Sequence, residues 1–350
     1  MATQTTRLPA DAAAPRPLAK KRVRPADALF HAGLLLAILL ALGALAWLLI
    51  SILAQGLPVL DWDFLTNQTS TNPELAGFNS SIRVTFVMMV ITFAIAVPLG
   101  FAAAVHLEKF AALSRDQLLT TARRRQRHLE EMRASGVSGW PLLRSVLGTR
   151  IAFAWARVGP PVNRAVDVNI TNLAAVPSII YGLLGLAIFV AIMGLQKNML
   201  AGALTLALLV LPIIIIASRE AVKAVPVSIE QGAMALGATR WQAVSRQVFP
   251  AALPGMLTGT ILAMSRAIGE SAPLIVVGGV VFATQVPSLN PLEADDTPLL
   301  AMPLQIFFWA GEPQQAFQDL AAAGIIVLLA TLVVMNLLAI FLRNKFSRRW

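Results

Sequence analysis

At 350 residues, 57% hydrophobic and only 13% charged, with a mean hydropathy of +0.71, the chain is too apolar for a water-soluble domain, because soluble proteins are about one quarter charged. The absence of cysteine excludes a disulfide framework, thiolate metal ligands and a thiol nucleophile, and three scattered histidines (His31, His106, His128) suggest no metal site. A formal charge of +10 would suit nucleic acid, but its distribution along the chain points to membrane topology instead.

Residues 1–30, rich in Ala, Pro and Arg, read as a disordered tail. Lys20-Lys21-Arg22-Val23-Arg24 precedes an apolar run from Ala32 to Leu53. That run is longer than the roughly 7–15 residues of a signal-peptide core, and no small-residue cleavage site stands out. An uncleaved first span over 31–54 is therefore predicted. Hydrocarbon about 30 Å thick needs roughly 20 apolar residues per helical crossing. Five further runs reach that length, at 80–105, 168–195, 199–218, 256–284 and 321–342, so an all-α, polytopic six-span bundle is expected.

Lysine and arginine set the orientation. The N-terminal tail holds six, the segment between spans two and three eleven, the segment between spans four and five four, and the C-terminal tail four. The loops 55–79 and 285–320 hold none, and carry Asp61, Asp63, Glu74, Glu293, Asp295, Asp296, Glu312 and Asp319. Both termini are thus expected in the cytoplasm, with 55–79 as a periplasmic loop. The segment 111–165 reads as a cytoplasmic insertion: Gln117 to Arg133 is a charged helical stretch, and 140–158 mixes Trp, Leu, Ile and Phe with Arg144, Arg150 and Arg157. Each arginine costs about 2.5–3.5 kcal/mol at mid-bilayer, so a helix lying in the lipid headgroup plane fits 140–158 better than a span.

Span three opens with Asp167-Val-Asn169-Ile-Thr171-Asn172 and continues to Pro177 and Gly182. Asn169 and Asn172, three apart, either face a cavity or cap the helix start; Pro177 and Gly182 suggest a bend. The cytoplasmic segment 219–255 is not loop-like. Val227 to Gly237 reads as a short amphipathic helix preceded by Pro226 and ended by Gly237 in a left-handed conformation. A second helix runs from Ala238 to Pro250. Small residues at Gly232, Ala233 and Gly237 leave a smooth face for a partner, or the helix is a connector lying on its own bundle.

Span five carries Ser265-Arg266-Ala-Ile-Gly269-Glu270-Ser271-Ala-Pro273. Arg266 and Glu270 are four apart and share a helix face. Both are costly in hydrocarbon unless they pair or line a watered cavity. Arg266 offers charge and donors suited to an oxyanion, with Glu270 holding it and Ser265 nearby; a buried pair that fixes helix packing is the other reading. Gly269 is expected to admit a close backbone, and Pro273 to free a carbonyl.

Gln231-Gly-Ala-Met-Ala-Leu-Gly237, followed by Phe249-Pro250, resembles the EAA loop of ATP-binding-cassette importer permeases, which docks on the ATPase. It departs from that pattern in having Gln231-Gly232-Ala233 where Glu-Ala-Ala is usual, with Glu230 one place early and Phe249 for Leu. The resemblance implies that the glutamate contact comes from Glu230 or is replaced by Gln231. Asn169 through Leu186, Leu211-Pro-Ile-Ile-Ile, Leu236-Gly-Ala-Thr-Arg-Trp and Ser265 through Leu274 together resemble the PstA family of phosphate-importer permeases, from about Ser80 onward apart from 111–165. Ser-Ala-Pro after Glu270 fits that family better than the partner PstC. The resemblance implies a MetI-like fold and a role for Arg266 and Glu270 in phosphate passage. It further implies a PstC-like permease partner, a PstB-like ATPase dimer and a periplasmic phosphate-binding protein. It implies no cofactor of the chain's own, with ATP and Mg held by the ATPase; the chain has no GxxxxGK[ST] pattern. Permeation of molybdate, sulfate or phosphonate is the alternative within that class. A secondary transporter would leave the EAA-like segment without purpose, and a membrane enzyme finds no catalytic grouping here.

Overall fold

The computed structural model describes residues 25–111, 115–280, 287 and 297–346. Most of the expected N-terminal tail, residues 281–284 of the expected fifth span and the acidic residues Glu293, Asp295 and Asp296 lie outside them. The chain divides into two compact units, Met1–Ser51 and Ile52–Trp350. In the first, helix α1 (Pro25–Gly56) begins earlier than expected and accounts for all described residues.

The second unit is helical, with no strand among the described residues. Its centre is built from α3 (Asn79–Val105), α7 (Met199–Lys223) and α10 (Phe249–Ile268). Val84, Met88, Leu206, Val210, Ile214, Met256 and Ala263 meet there, each almost fully buried. Close approach is secured by small residues. Gly255 and Gly259 on α10, four apart, face Ala221 and Ala217 on α7, and a Cβ at Gly255 would lie 2.8 Å from that of Ala221. Such small-xxx-small faces let membrane helices pack backbone to backbone. Helix α13 (Gln315–Phe346) lies alongside α10, joined by Ser265 to Asn336 and by Arg343 Nη1 to Thr258 Oγ1 at 3.2 Å.

Two expected spans are broken. Helix α5 runs from Trp140 to Ala174, straight through the boundary expected near 165–168, and the chain then turns by 113° into α6 (Ser178–Gly185), which a wide π-helical turn extends to Ile192. Pro177 causes the turn by pushing Val176 out of helical conformation. The fifth span, expected unbroken over 256–284, stops at Ile268 and resumes as α11 (Ala272–Val277). Pro273 has no N–H for the Gly269 carbonyl. The last turn of α10 tightens instead, with Gly269 N–H donating to Arg266 O at 3.1 Å and Glu270 N–H to Ala267 O at 3.3 Å. Among the described residues, five helices are long and apolar enough to cross a membrane, or six if the α5–α6 pair counts as one span.

The two acidic loops fold together. Helices α2 (Trp62–Thr66) and α12 (Met302–Ala310), neither expected, bring Phe64, Phe78, Trp309 and Phe317 into one aromatic cluster, with Phe64 and Phe78 stacked at 5.4 Å. Away from it, helix α4 (Arg115–Ala134) packs on α5, burying Ala122 and Leu129.

Candidate translocation and coupling sites

The break after α10 places Arg266 and Glu270 together. Arg266 Nε lies 3.0 Å from Glu270 Oε1; the glutamate side chain is 17% exposed and the arginine 49%. The carboxylate is therefore anchored within the fold while half of the guanidinium side chain stays open to the surface. Ser265 does not join them. Its hydroxyl bonds the Ile261 carbonyl at 2.7 Å and Asn336 on α13, so it ties two helices together. Gly269 does not meet another backbone either: a Cβ there would find only Arg266 O at 3.8 Å. The close approach falls at Gly182 instead, where a Cβ would lie 2.8 Å from Pro273 Cα, so α6 and α11 touch at the two breaks. Tyr181, the chain's single tyrosine, secures the bend by donating from its hydroxyl to Leu173 O at 2.7 Å.

Asn169 and Asn172 are not capping residues. They sit in the last turns of α5, far from its start at Trp140, and both are exposed. Asn169 Nδ2 donates to Ala165 O at 2.7 Å. None of the described interactions joins either asparagine to the Arg266–Glu270 pair.

The second site is α8 (Val227–Ala235), followed by α9 (Arg240–Ala243), which runs through a π-helical turn into α10. Gly237 has φ +89°. Around it, Ala238 N–H donates to Ala233 O at 3.1 Å and Gly237 N–H to Met234 O at 3.0 Å. This is the glycine-dependent helix stop expected from the sequence. A reciprocal cap, missed although Thr239-Arg-Trp-Gln242 spells it, starts α9: Thr239 N–H donates to Gln242 Oε1 at 2.8 Å and Gln242 N–H to Thr239 Oγ1 at 3.3 Å.

Glu230 faces inward. It is 7% exposed and pairs with Lys109 Nζ at 2.9 Å and with Arg240 Nε at 3.5 Å. Arg240 also donates to the Lys109 carbonyl and lies 5.8 Å over the Phe110 ring. Gln231, Gly232 and Gly237 are exposed, Ala233 partly so, and nothing approaches a Cβ at either glycine within 4 Å. Leu236 is 91% exposed and Trp241 66%, beside a groove of about 370 Å³ lined by Ala233, Leu236, Gly237 and Arg246. The outward face of α8 is thus smooth, while its one carboxylate fastens it from behind.

Sequence reasoning also missed the hub behind α8. The π-helical turn His106–Phe110 extends α3 and places Glu108 and Lys109 against different neighbours. Lys109 holds Glu230, whereas Glu108 lies 3.6 Å from Arg219 Nε at the end of α7, and Arg219 also binds Asp167 of α5. The adjacent opposite charges in Leu107-Glu-Lys-Phe110 were the available signal.

Residues 145–350, more than half of the chain, match the model of the binding-protein-dependent transport system inner membrane component family. The probable ABC transporter permease protein YqgI of Bacillus subtilis (strain 168) is 26% identical over 312 residues, covering 85% of this chain and 88% of that protein. The phosphate transport system permease protein PstA of Xylella fastidiosa (strain Temecula1) is 32% identical over 212 residues, 58% of this chain and 71% of that protein. PstA 1 of Mycobacterium tuberculosis (strain H37Rv) is 30% identical over 188 residues, 54% of this chain and 59% of that protein. Among solved structures, a chain of the inward-facing MetNI methionine ABC transporter matches with a TM-score of 0.48 and 17% identity, covering 78% of this chain and 95% of that one. The family match over more than half of the chain, together with the permease relatives, shows that the chain belongs to the family of binding-protein-dependent transport system inner membrane components, as a permease subunit of an ABC importer.

Proposed function

We propose that this chain is the PstA-type permease subunit of an ATP-driven phosphate importer, set in the cell inner membrane with both termini in the cytoplasm. The observation that carries the reading is Arg266: a guanidinium half exposed beside a break in a membrane helix, steadied by an anchored Glu270. An arginine opening onto lipid costs about 2.5–3.5 kcal/mol, so the open half faces water, in a path completed by a second, PstC-like permease subunit. A planar, always-charged fork suits a tetrahedral oxyanion. The PstA proteins of Xylella fastidiosa and Mycobacterium tuberculosis support phosphate as that oxyanion, and the unspecific YqgI keeps other oxyanions as the alternative.

ATP and Mg belong to a separate PstB-like ATPase dimer, and a periplasmic phosphate-binding protein delivers the cargo. The ATPase grips the bare face of α8 (Gln231, Gly232, Ala233) and the turn that ends it (Leu236, Gly237). Because Glu230 ties α8 to the end of α3, nucleotide-driven closure moves that end with it. The importer alternates between two packings whose relative stability nucleotide binding reverses.

The test is uptake by the purified complex in sealed vesicles, phosphate against sulfate and molybdate. Phosphate uptake dependent on ATP is expected, and Arg266→Gln should abolish it with the complex still assembled. Preference for another oxyanion would reassign the cargo. Normal phosphate uptake by Arg266→Gln would remove that residue from the path.

A further inference from the structure

Residues 115–164 hold ten arginines and only three carboxylates, a net +7 out of the chain's +10. They form the α4–α5 hairpin. Along α5, Trp140, Leu143, Leu147, Ile151 and Val158 recur at spacings of three, four, four and seven, so they share one helix face. Each is more than half exposed, from 55% at Val158 to 77% at Trp140. Helix α4 does not cover them. It packs on the opposite side of α5, where Thr149 is buried and Arg125 reaches the Gly148 carbonyl. Exposed Arg144 and Arg150 flank the apolar face.

Two observations say what covers this face. Helix α6 packs on the central span α7 through Gly185 and Thr205. The Val158–Ala174 part of α5 meets α6 at 113°, so with α6 upright beside α7 it runs nearer to the membrane plane than to the normal. The level is set by the charged end of α7, where Arg219 meets both Asp167 of α5 and Glu108, groups that belong at the headgroups rather than in hydrocarbon. An apolar face bordered by arginines, in the plane and at that level, matches an anionic lipid surface in both shape and charge.

We propose that the N-terminal part of α5 is an in-plane anchor that docks on anionic phospholipid, and that docking tunes coupling through Asp167. The route is contiguous: Asp167 to Arg219, Arg219 to Glu108, and from the neighbouring Lys109 to Glu230 on α8. A docked α5 holds Asp167 on Arg219 and keeps the end of α3 in register with the ATPase-gripping helix. The docking half is independent of the cargo. The tuning half rests on the importer reading.

The chain has no cysteine, so Leu147→Cys, with Arg124→Cys on α4 as control, gives each version one labelling site. The full complex, labelled there with a polarity-sensitive fluorophore, is placed in nanodiscs of neutral phosphatidylcholine or of phosphatidylcholine with phosphatidylglycerol. In the anionic discs the label at 147 should be quenched by headgroup-level spin-labelled lipid and shielded from aqueous iodide, while that at 124 should remain open to iodide. Arg144→Glu with Arg150→Glu should shift the docked-to-free ratio by roughly tenfold or more, as about 1 kcal/mol per basic residue near an anionic surface implies. Equal iodide access at 147 and 124 would overturn the anchor. So would shielding at 147 that requires the ATPase and ignores lipid, because the face would then be a protein-docking surface. For the tuning half, ATP-driven uptake should rise with anionic lipid in the unmodified complex and stay flat in the double arginine variant, with equal uptake in neutral lipid. Identical lipid dependence in both would overturn it. The fluorescence reads docking whatever is transported, so failure of the phosphate assignment remains distinguishable.

Discussion

Lys109, 11% exposed at its side chain, pairs with a Glu230 carboxylate exposed by only 9%. Removing one member of such a buried pair leaves the other charge uncompensated, which costs about 3–5 kcal/mol. Glu230→Gln is therefore expected to loosen α8 from the end of α3. Amide exchange across Val227–Ala235 should rise and the melting temperature of the purified complex should fall, and unchanged exchange would remove Glu230 as the fastener. Glu270 plays a different part because its arginine is half exposed. Glu270→Gln leaves the positive charge and removes a charge-assisted hydrogen bond worth about 1.5–3 kcal/mol. Uptake should fall by about tenfold or more, short of the complete loss expected for Arg266→Gln. A variant as active as the parent would mean that the carboxylate does not position the guanidinium.

Helix α8 and the turn that ends it offer their partner a surface whose most exposed apolar side chain is Leu236. Burying a leucine contributes about 1.5–3 kcal/mol, so Leu236→Glu should weaken capture of the ATPase by at least about tenfold while leaving the isolated permease folded; capture at the parental affinity would move the contact elsewhere. Between α7 and α10 an added side chain would do harm, because Gly259 faces Ala217 with no room for one. Gly259→Leu should cost about 1–3 kcal/mol by overpacking, read as a lower melting temperature and poorer recovery from the membrane. These elements differ in how openly the sequence announces them. Pro226 and Gly237 fix the ends of α8 by local chemistry, so that helix and its left-handed stop were legible, as was the Arg266–Glu270 pair, whose spacing holds even where the helix tightens. The break between α10 and α11 was not, because an apolar run reads alike whether its hydrogen bonds continue or stop, and the consequence of Pro273 depends on the packing of α6 through Gly182. The inward turn of Glu230 was hidden for a related reason: its partner Lys109 lies 121 residues away in sequence, and nothing local marks a long-range pair. Helix α12 was masked by its position in an acidic loop, and its core contacts Phe64 and Phe78 come from the other acidic loop.

At the scale of the whole molecule, the distribution of charge and the two cores make a single directional argument. The exposed knob at Leu236, the Glu108–Arg219–Asp167 cluster and the arginine-rich hairpin all belong to segments that hold most of the lysines and arginines. The aromatic core of Phe64, Phe78 and Trp309 is built from the loops that hold none. Basic loops stay on the cytoplasmic face because they are hard to translocate, so the proposed orientation would put the aromatic core on the periplasmic face, where a binding protein would deliver cargo. The prediction follows from the cysteine-free background. Glu74 and Gln231 are both exposed, one beside each of these ends. In cells with a permeabilised outer membrane but an intact inner one, Glu74→Cys should react with a membrane-impermeant maleimide, and Gln231→Cys should react only after the inner membrane is opened. Labelling of Gln231→Cys from outside would invert the molecule. The exposed face of α8 would then be on the side without ATP, and the importer reading would lose its motor, whatever Arg266 binds.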